Sequence, residues 1–462
     1  MNITKKIRTE MLHAEVNVLL DTFRRLLRRR ARTNLEKLAR KTHPADLALL
    51  FRHFSEEERL QVFSLAQKTE NVGEFLTELD ESIVQSLLEP LDANQVVLLL
   101  EEVSADDRAD ILNLLPEDKA NTVLKAFNRE ESEELEELMS YAPDTAGGIM
   151  SVDPFSLPEN TTAAEAVTHI QSSEDAEMVF YLYVTDANNK LSGVVSLRDL
   201  VVAPPDTALT SIMRTNVVSV TADTDQEEVA RQVSRYNLLA IPVVDADNTL
   251  LGIVTVDDVV DVIREEATED FLQMAGVGKD REILLKSTFE SVKLRLPWLF
   301  ATWVGGIFVA WIASRFESVL NFVAVAAFIP IILGMGGNVG TQSSTIIVRG
   351  LATGRIHLGQ VGKTIFKQIR VGLLLGIFYG LLLGIVASLN VIDAPPRLGL
   401  VVGLAICFSM FTASSLGTLI PIILRKLDVD PAIASGPFVT TSTDLFGILI
   451  YFLIATSFLQ PF

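Results

Sequence analysis

Pro330-Ile-Ile-Leu-Gly-Met-Gly-Gly-Asn-Val-Gly-Thr-Gln-Ser-Ser-Thr345 is the stretch that decides the fold. It lies in an apolar run, Val319–Val348, and about 20 helical residues suffice to cross a bilayer. Gly334, Gly336, Gly337 and Gly340 stand there beside Asn338, Thr341, Gln342, Ser343, Ser344 and Thr345. So many amides and glycines are costly against lipid. They are expected where backbone carbonyls and side-chain oxygens face water or an ion. Four more runs of sufficient length follow the same composition: Pro297–Ser314, Val371–Leu389, Leu398–Leu424 and Gly436–Phe458. The second and fourth runs exceed the minimum, which predicts tilt or interruption at their Gly and Pro residues. The fifth holds Val439-Thr-Thr-Ser-Thr-Asp444, and Asp444 is the one carboxylate well inside any run. An ionised side chain at that depth costs a few kcal/mol and marks a pathway or relay by default. Hard oxygen donors without His or thiolate suit Mg²⁺ or Ca²⁺ rather than zinc or copper.

Outward from this domain the composition changes sign. The chain has 462 residues, a net charge of −20 and a mean hydropathy of +0.33. Residues 297–462 contain five acids and nine Lys or Arg, so residues 1–296 carry 54 acids against 30 bases, a net −24. An acidic front joined to an apolar rear excludes a purely soluble enzyme. It also argues against a nucleic-acid partner, because such a surface repels phosphate. Cys407 is the single cysteine and excludes disulfides. No apolar segment opens the chain, so the front half is expected in the cytosol. The segment Arg349–Arg370 holds Arg349, Arg355, Lys363, Lys367 and Arg370 without an acid, which marks a cytoplasmic loop. Five spans then put the N-terminus inside and the C-terminus outside. Trp298, Trp303 and Trp311 fit an aromatic belt around the first span. Gly372, Gly376, Gly380 and Gly384, four apart, predict a close helix–helix contact in the third.

Residues 43–140 repeat one plan, a polar cap followed by apolar residues at helical spacing, and predict a helical array. Residues 141–262 are duplicated. Met150-Ser-Val-Asp aligns with Met213-Arg-Thr-Asn, Tyr181-Leu-Tyr-Val-Thr-Asp186 with Ala240-Ile-Pro-Val-Val-Asp245, and Gly193-Val-Val-Ser-Leu-Arg-Asp199 with Gly252-Ile-Val-Thr-Val-Asp-Asp258. Each copy predicts a helix, two β runs about a polar turn, and a capped helix. This resembles a tandem CBS pair, and the shared G-x-x-[ST]-x-x-D ending carries the resemblance. Such pairs are sensors that often bind adenine nucleotides, which implies ATP as a ligand and Asp199 and Asp258 as contacts to its ribose. Next come Asp257, Asp258, Asp261, Glu265, Glu266, Glu269 and Asp270, countered only by Arg264. Like charges three or four apart weaken a helix, and a cation relieves them. This helix is expected to run on through Lys286 and Lys293 to Pro297.

Taken together, the chain resembles the MgtE family of magnesium channels and transporters over residues 43–462. The specific matches are Pro330-x-x-x-Gly-x-Gly-Gly-Asn-x-Gly-x-Gln-Ser and Val439-Thr-Thr-x-x-Asp444. The resemblance implies a multidomain membrane protein: a basic helical extension (1–42), a superhelical α N domain (43–140), α/β tandem CBS domains (141–262), a connecting plug helix (263–296) and five α-helical spans (297–462). It implies a homodimer in the bilayer with its pore at the two-fold axis. Asp444 would set selectivity, with Thr440, Thr441, Gly336, Gly337, Asn338, Gly340, Thr341, Gln342 and Thr345 lining the path. Asp225, Glu227, Asp258, Asp261, Glu266, Glu269 and Asp270 match carboxylates that bind regulatory Mg²⁺, and Asp106 and Asp110 fit N-domain ligands. Asn237 stands where an acid is expected, which weakens one regulatory site. The run Arg24, Arg25, Arg28, Arg29, Arg30, Arg32 and Arg40 has no family role and could meet anionic lipid or the protein's own acidic face. The implied activity is passive Mg²⁺ import, closed by cytosolic Mg²⁺. The alternative is an ion-coupled transporter or exporter with Asp444 as carrier. No phosphate-binding loop, nucleophile elbow or H-E-x-x-H motif supports an enzyme.

Overall fold

A computed structural model describes residues 16–69, 71–101, 103–152, 154–172, 180–277, 286–316, 323–356, 359, 361–389, 397–427 and 429–459. Parts of the expected extension (1–15), plug segment (278–285) and second span (319–322) lie outside the described residues. The chain forms two compact units, one ending at Ile263 and one beginning at Arg264.

In the first unit, helix 16–28 and helix Arg32–Lys41 meet at a turn in which Arg30 has φ 52°. Short helices follow, among them Pro44–Phe51, Glu56–Ala66, Val72–Thr77, Glu81–Leu88, Ala93–Leu100, Ala105–Asn113, Glu117–Leu124 and Arg129–Leu138. Alone, helices this short are marginal in water. Here all but Glu117–Leu124, which follows Pro116, start at a polar residue, and each buries an apolar stripe on its neighbours. Ser55 with Glu58, Asp92 with Gln95 and Asn128 with Glu131 form reciprocal capping boxes. Leu50, Phe51, Leu76, Leu88, Leu100 and Leu112 are wholly buried along the stack.

The duplication becomes two three-stranded sheets of identical order. Strand β1 (Ser156–Pro158) pairs parallel with β2 (Tyr181–Thr185), which pairs antiparallel with β3 (Leu191–Ser196). In the second copy, β4 (Val220–Thr221), β5 (Ala240–Val244) and β6 (Leu250–Thr255) repeat the arrangement. The polar turns fold alike: Asp186 Oδ1 accepts from the Asn188 and Lys190 N–H groups, and Asp245 Oδ1 from those of Asp247 and Thr249. Those bonds hold both carboxyls below the usual carboxylate range. Asn189 and Asn248 take left-handed backbone (φ 59° and 66°). The turns also join each other, since Leu191 N–H donates to Asn248 O and Leu250 N–H to Asn189 O.

The acidic helix, Val256–Met274, begins after β6 and reaches into the second unit. It does not continue to Pro297 as expected. It stops at Met274, Gly276 follows with φ +71°, and a separate helix opens at Thr288 under a Ser287–Glu290 capping box. A glycine that takes left-handed backbone ends a helix at little cost, and a capping box starts one.

Among the described residues, five helices are long and apolar enough to cross a membrane: Thr288–Ser314, Val323–Ala352, Val361–Ser388, Leu398–Lys426 and Pro437–Leu459, the first to fifth spans. The first starts nine residues before Pro297, which lies inside it. Among the described residues no interruption occurs in the second or fourth; Pro330 and Pro421 sit within continuous helices. The fourth span is the centre of the bundle, with Val401, Ala405, Ile406, Ser414 and Thr418 at zero exposure. The expected glycine row of the third packs on it. Cβ atoms added at Gly376, Gly380 and Gly384 would come within 2.6, 2.5 and 2.8 Å of the carbonyls of Cys407, Gly403 and Gly399. Only Gly permits backbones that close.

Candidate ion path and regulatory carboxylates

The second span sorts its polar residues by helical phase. Gly336, Val339, Gly340, Ser343, Ser344 and Ile347 are buried. A Cβ on Gly336 would lie 3.0 Å from Ser409 Oγ, and one on Gly340 would lie 2.7 Å from the Thr443 methyl. These glycines pack against the fourth and fifth spans. The opposite face carries Gly334, Gly337, Asn338, Thr341, Gln342 and Thr345. Asn338, Gln342 and Thr345 are exposed there, and no atom stands within 4 Å of a Cβ built on Gly334 or Gly337. The segment is helical throughout, so its carbonyls belong to the helix ladder. The side-chain oxygens are what it offers an ion.

On the fifth span, Val439, Thr443, Gly447, Ile448 and Tyr451 are buried. Tyr451 Oη donates to Val325 O at 2.8 Å and ties this span to the second. Thr440 donates its hydroxyl to Gly436 O (3.1 Å), and Thr443 donates to Thr440 O (2.8 Å). Both keep lone pairs to offer. Thr441 instead packs over Gly305 of the first span. Asp444 is partly exposed, one turn from Thr440 and one turn from Gly447. Gly447 faces Ser409 and Leu333, so this side of the helix looks toward the fourth and second spans. Ser409 was not singled out in the sequence. Its hydroxyl is 2% exposed and unbonded among the described residues, a property no linear motif encodes.

In the first unit, Asp106 and Asp258 of the expected regulatory residues act on each other electrostatically. Asp106, in the first turn of Ala105–Asn113, is 8% exposed and its Oδ1 makes no hydrogen bond among the described residues. Burial pushes its carboxyl up, with Asp257 adding repulsion. Asp258 is pushed up to about 7, chiefly by burial and then by repulsion from Asp106, Asp257 and Asp107, against a lowering bond from Thr255. Asp107 and Asp257 complete this acidic patch and were not among the expected ligands; adjacency in sequence to Asp106 and Asp258 was the available signal. Asp110 and Asp261 are exposed on the following turns of the same two helices. Asp225 is elsewhere, capping helix Gln226–Tyr236 through the Glu227 N–H, and Glu227 pairs with Arg231 at 3.2 Å. Asn237 ends that helix in left-handed backbone. Glu266, Glu269 and Asp270 are partly buried near the end of the acidic helix, where Glu269 accepts from Gln273 Nε2 (2.7 Å). Asp199 faces Arg214 at 3.8 Å.

Among the described residues, no three His, Cys, Asp or Glu side chains converge as a metal cage. That fits a hydrated Mg²⁺, which keeps several waters and takes one or two carboxylates directly. The donors suit that ion: all are hard oxygens, and Asp106 holds an orphan one.

Comparison with known proteins decides the family. A profile described as a divalent cation transporter, MgtE, matches residues 329–454, the MgtE intracellular N domain matches 42–144, and CBS domains match 146–206 and 209–265. The magnesium transporter MgtE of Bacillus subtilis is 36% identical over 419 residues, covering 90% of this chain and 92% of that one. The magnesium transporter MgtE of Thermus thermophilus is 39% identical, covering 92% and 95%. The chain belongs to the MgtE family of magnesium transporters. It is a transporter and not an enzyme. A crystal structure of the cytosolic domain of the Mg²⁺ channel MgtE in complex with ATP is also similar, at 34% identity over 53% of this chain and 99% of that one, with a TM-score of 0.49. Within the MgtE layout, the match at 329–454 takes in both the open face of the second span and Asp444. The second CBS match extends to residue 265, into the acidic helix.

Proposed function

We propose that the chain is a homodimeric channel that admits Mg²⁺ down its electrochemical gradient and closes when cytosolic Mg²⁺ is high. The observation that carries the reading is the open oxygen-bearing face of the second span beside a fifth span whose single carboxylate is Asp444. In a two-fold dimer these faces meet a second copy of themselves. Two Asp444 carboxylates then confront one dication, with Thr440, Asn338, Thr341, Gln342 and Thr345 bonding to its water shell. Gly336 and Gly340 support the wall by packing and do not line it. An inside-negative potential drives a divalent ion inward with about 4.6 kcal/mol per 100 mV. A second copy also has a place on the first unit, where Leu197, Val201, Val202, Val260 and Ile263 expose apolar side chains. The start of the fifth span supports an inside N-terminus. A Cβ on Gly436 would lie 3.2 Å from Met274 O, so the end of the acidic helix meets that end of the span.

For gating, Asp106 and Asp258 are the charge pair that folding leaves in want of a cation. Neutralised together by Mg²⁺, they would clasp the N and CBS domains and hold the acidic helix in the closed position; Asp110, Asp261, Glu266, Glu269 and Asp270 extend the same field. At low Mg²⁺ their repulsion releases it. For ATP, Asp199 beside Arg214 is the open copy of the duplicated motif, whereas Asp258 is engaged with Thr255 and Asp106.

Liposome flux tests the path. Wild type should take up Mg²⁺ under an inside-negative potential without a counter-ion gradient, and Asp444→Ala should lose at least tenfold. Uptake that demands H⁺ or Na⁺ would establish the coupled alternative. Patch recording of Asp106→Asn and Asp258→Asn tests the gate, and closure by Mg²⁺ at unchanged concentration would overturn it.

A further inference from the structure

The corner between helix 16–28 and helix Arg32–Lys41 is cationic, and neither the ion path nor the gate uses it. From Arg24 to Lys41 there are seven arginines and two lysines against one acid, Glu36, while residues 42–263 hold 43 acids against 12 bases. Arg24 turns inward, its Nε 3.3 Å from Glu58 and its Nη2 donating to His53 O at 2.7 Å. The others do not. Arg25, Arg28, Arg29, Arg30, Arg32, Lys37, Arg40 and Lys41 are exposed, although the adjacent helix Glu56–Ala66 begins with the exposed carboxylates Glu56 and Glu57. Beneath this surface, Phe23 (0% exposed) and Leu35 (3%) anchor both helices in the core. The corner is therefore a built, rigid face and not a loose charged tail.

We propose that this corner docks on anionic lipid headgroups of the bilayer that the spans occupy. Guanidinium groups match phosphate bidentately, and arginine supplies seven of the nine cations here. Tethering by the membrane domain gives the corner a high effective concentration of headgroups. A cytoplasmic leaflet also carries the complementary charge. The protein's own acidic surface is the rival occupant. The fold argues against it, because Glu56 and Glu57 lie on the neighbouring helix and yet, among the described residues, Arg24 with Glu58 is the ion pair between them.

The test uses the full chain with Cys407→Ser and a fluorophore on Asn34→Cys, an exposed position between Arg32 and Lys37. It is reconstituted at fixed Mg²⁺ in nanodiscs of phosphatidylcholine alone or with phosphatidylglycerol, both carrying a headgroup-attached quencher. Quenching is expected only with phosphatidylglycerol, and about 0.5 M salt should reverse it. Each arginine removed should lower the docking equilibrium constant about fivefold, so Arg28→Gln, Arg29→Gln, Arg30→Gln and Arg32→Gln together should lower it several-hundred-fold and abolish quenching. Unchanged Mg²⁺ flux in that variant verifies its fold. Quenching that is equal in both lipids, absent from both, or retained by the variant overturns the proposal. So does a label shielded from solvent in both lipids and uncovered by the variant, which would assign the corner to the protein's own acids.

Discussion

Removing the charge of Asp258 while keeping its shape should stabilise the soluble unit in the absence of Mg²⁺. In the folded chain this carboxyl is pushed up to about 7, against an ordinary value of 3.8. Each unit of difference is worth about 1.4 kcal/mol, so its ionisation costs at most about 4 kcal/mol. Partial exposure and solvent screening reduce the expected figure to about 1–3 kcal/mol. The sign follows from proton counting. Between pH 4 and 7 the folded chain holds a proton that the unfolded chain has released, so stability falls as pH rises through that window. Asp258→Asn escapes this loss and still accepts the bonds from Thr255 N–H and Oγ–H. In pulse proteolysis of the full chain in micelles with a chelator, the variant should be about 1–3 kcal/mol more stable at pH 8. The advantage should shrink below pH 7 and vanish near pH 4. Added Mg²⁺ should restore the wild type by about 1.4 kcal/mol for each tenfold rise above its Kd and help the variant less. A variant equal to or weaker than wild type at pH 8 under chelation would refute the idea that burial and Asp106 strain this charge.

Two glycines of the second span should answer differently to the same change. Gly340→Ala drives a Cβ toward the Thr443 methyl and should cost about 1–3 kcal/mol in thermal melts followed by tryptophan fluorescence. Gly337→Ala meets open space, so it should gain up to about 1 kcal/mol from helix propensity while narrowing the path and slowing liposome flux. Gly276→Ala puts a side chain on left-handed backbone and should cost about 1–2 kcal/mol, seen as faster hydrogen exchange over residues 271–277. Tyr451→Phe removes the buried hydroxyl's bond to the Val325 carbonyl, which keeps its helix-ladder partner, and should cost about 0.5–1.5 kcal/mol in the same thermal melt.

Signals that repeat with a fixed period were readable in the sequence. Five apolar runs became five helices, the glycine row of the third span became its contact with the fourth, and the duplicated β runs became two sheets of one order. Signals that depend on where a chain stops were not. The acidic pattern carries no marker against helix beyond Met274 except Gly276 and Gly278, and a glycine inside an apolar or charged run reads equally as packing or as a break. Here Gly276 ends a helix, whereas Gly336, Gly337 and Gly340 leave theirs unbroken. In the acidic set, sequence spacing placed Asp258, Asp261, Glu265 and Glu269 on one stripe. It could not reveal that Asp258 feels the charge of Asp106, because that pairing joins residues more than 150 positions apart.

The unbroken second span also constrains how the proposed path would hold its cargo. Were the helix opened at Gly336-Gly337, freed carbonyls would strip water from an ion, as filters that select by dehydration do. With the helix intact, inner-shell oxygens are scarce: one carboxylate per chain at Asp444, and amides and hydroxyls along Asn338, Thr341, Gln342 and Thr345. A dication that sheds water readily would gain little from such a wall. Mg²⁺ retains its shell and needs acceptors and donors at the distance of a second layer, with room to pass. On the proposed path, Gly334 and Gly337 would supply the room by having no side chain on the open face, while Gly336 and Gly340 let the packed face close on the fourth and fifth spans. In that proposal the same residue type would set both the width of the path and the packing of its lining, and helical phase decides which.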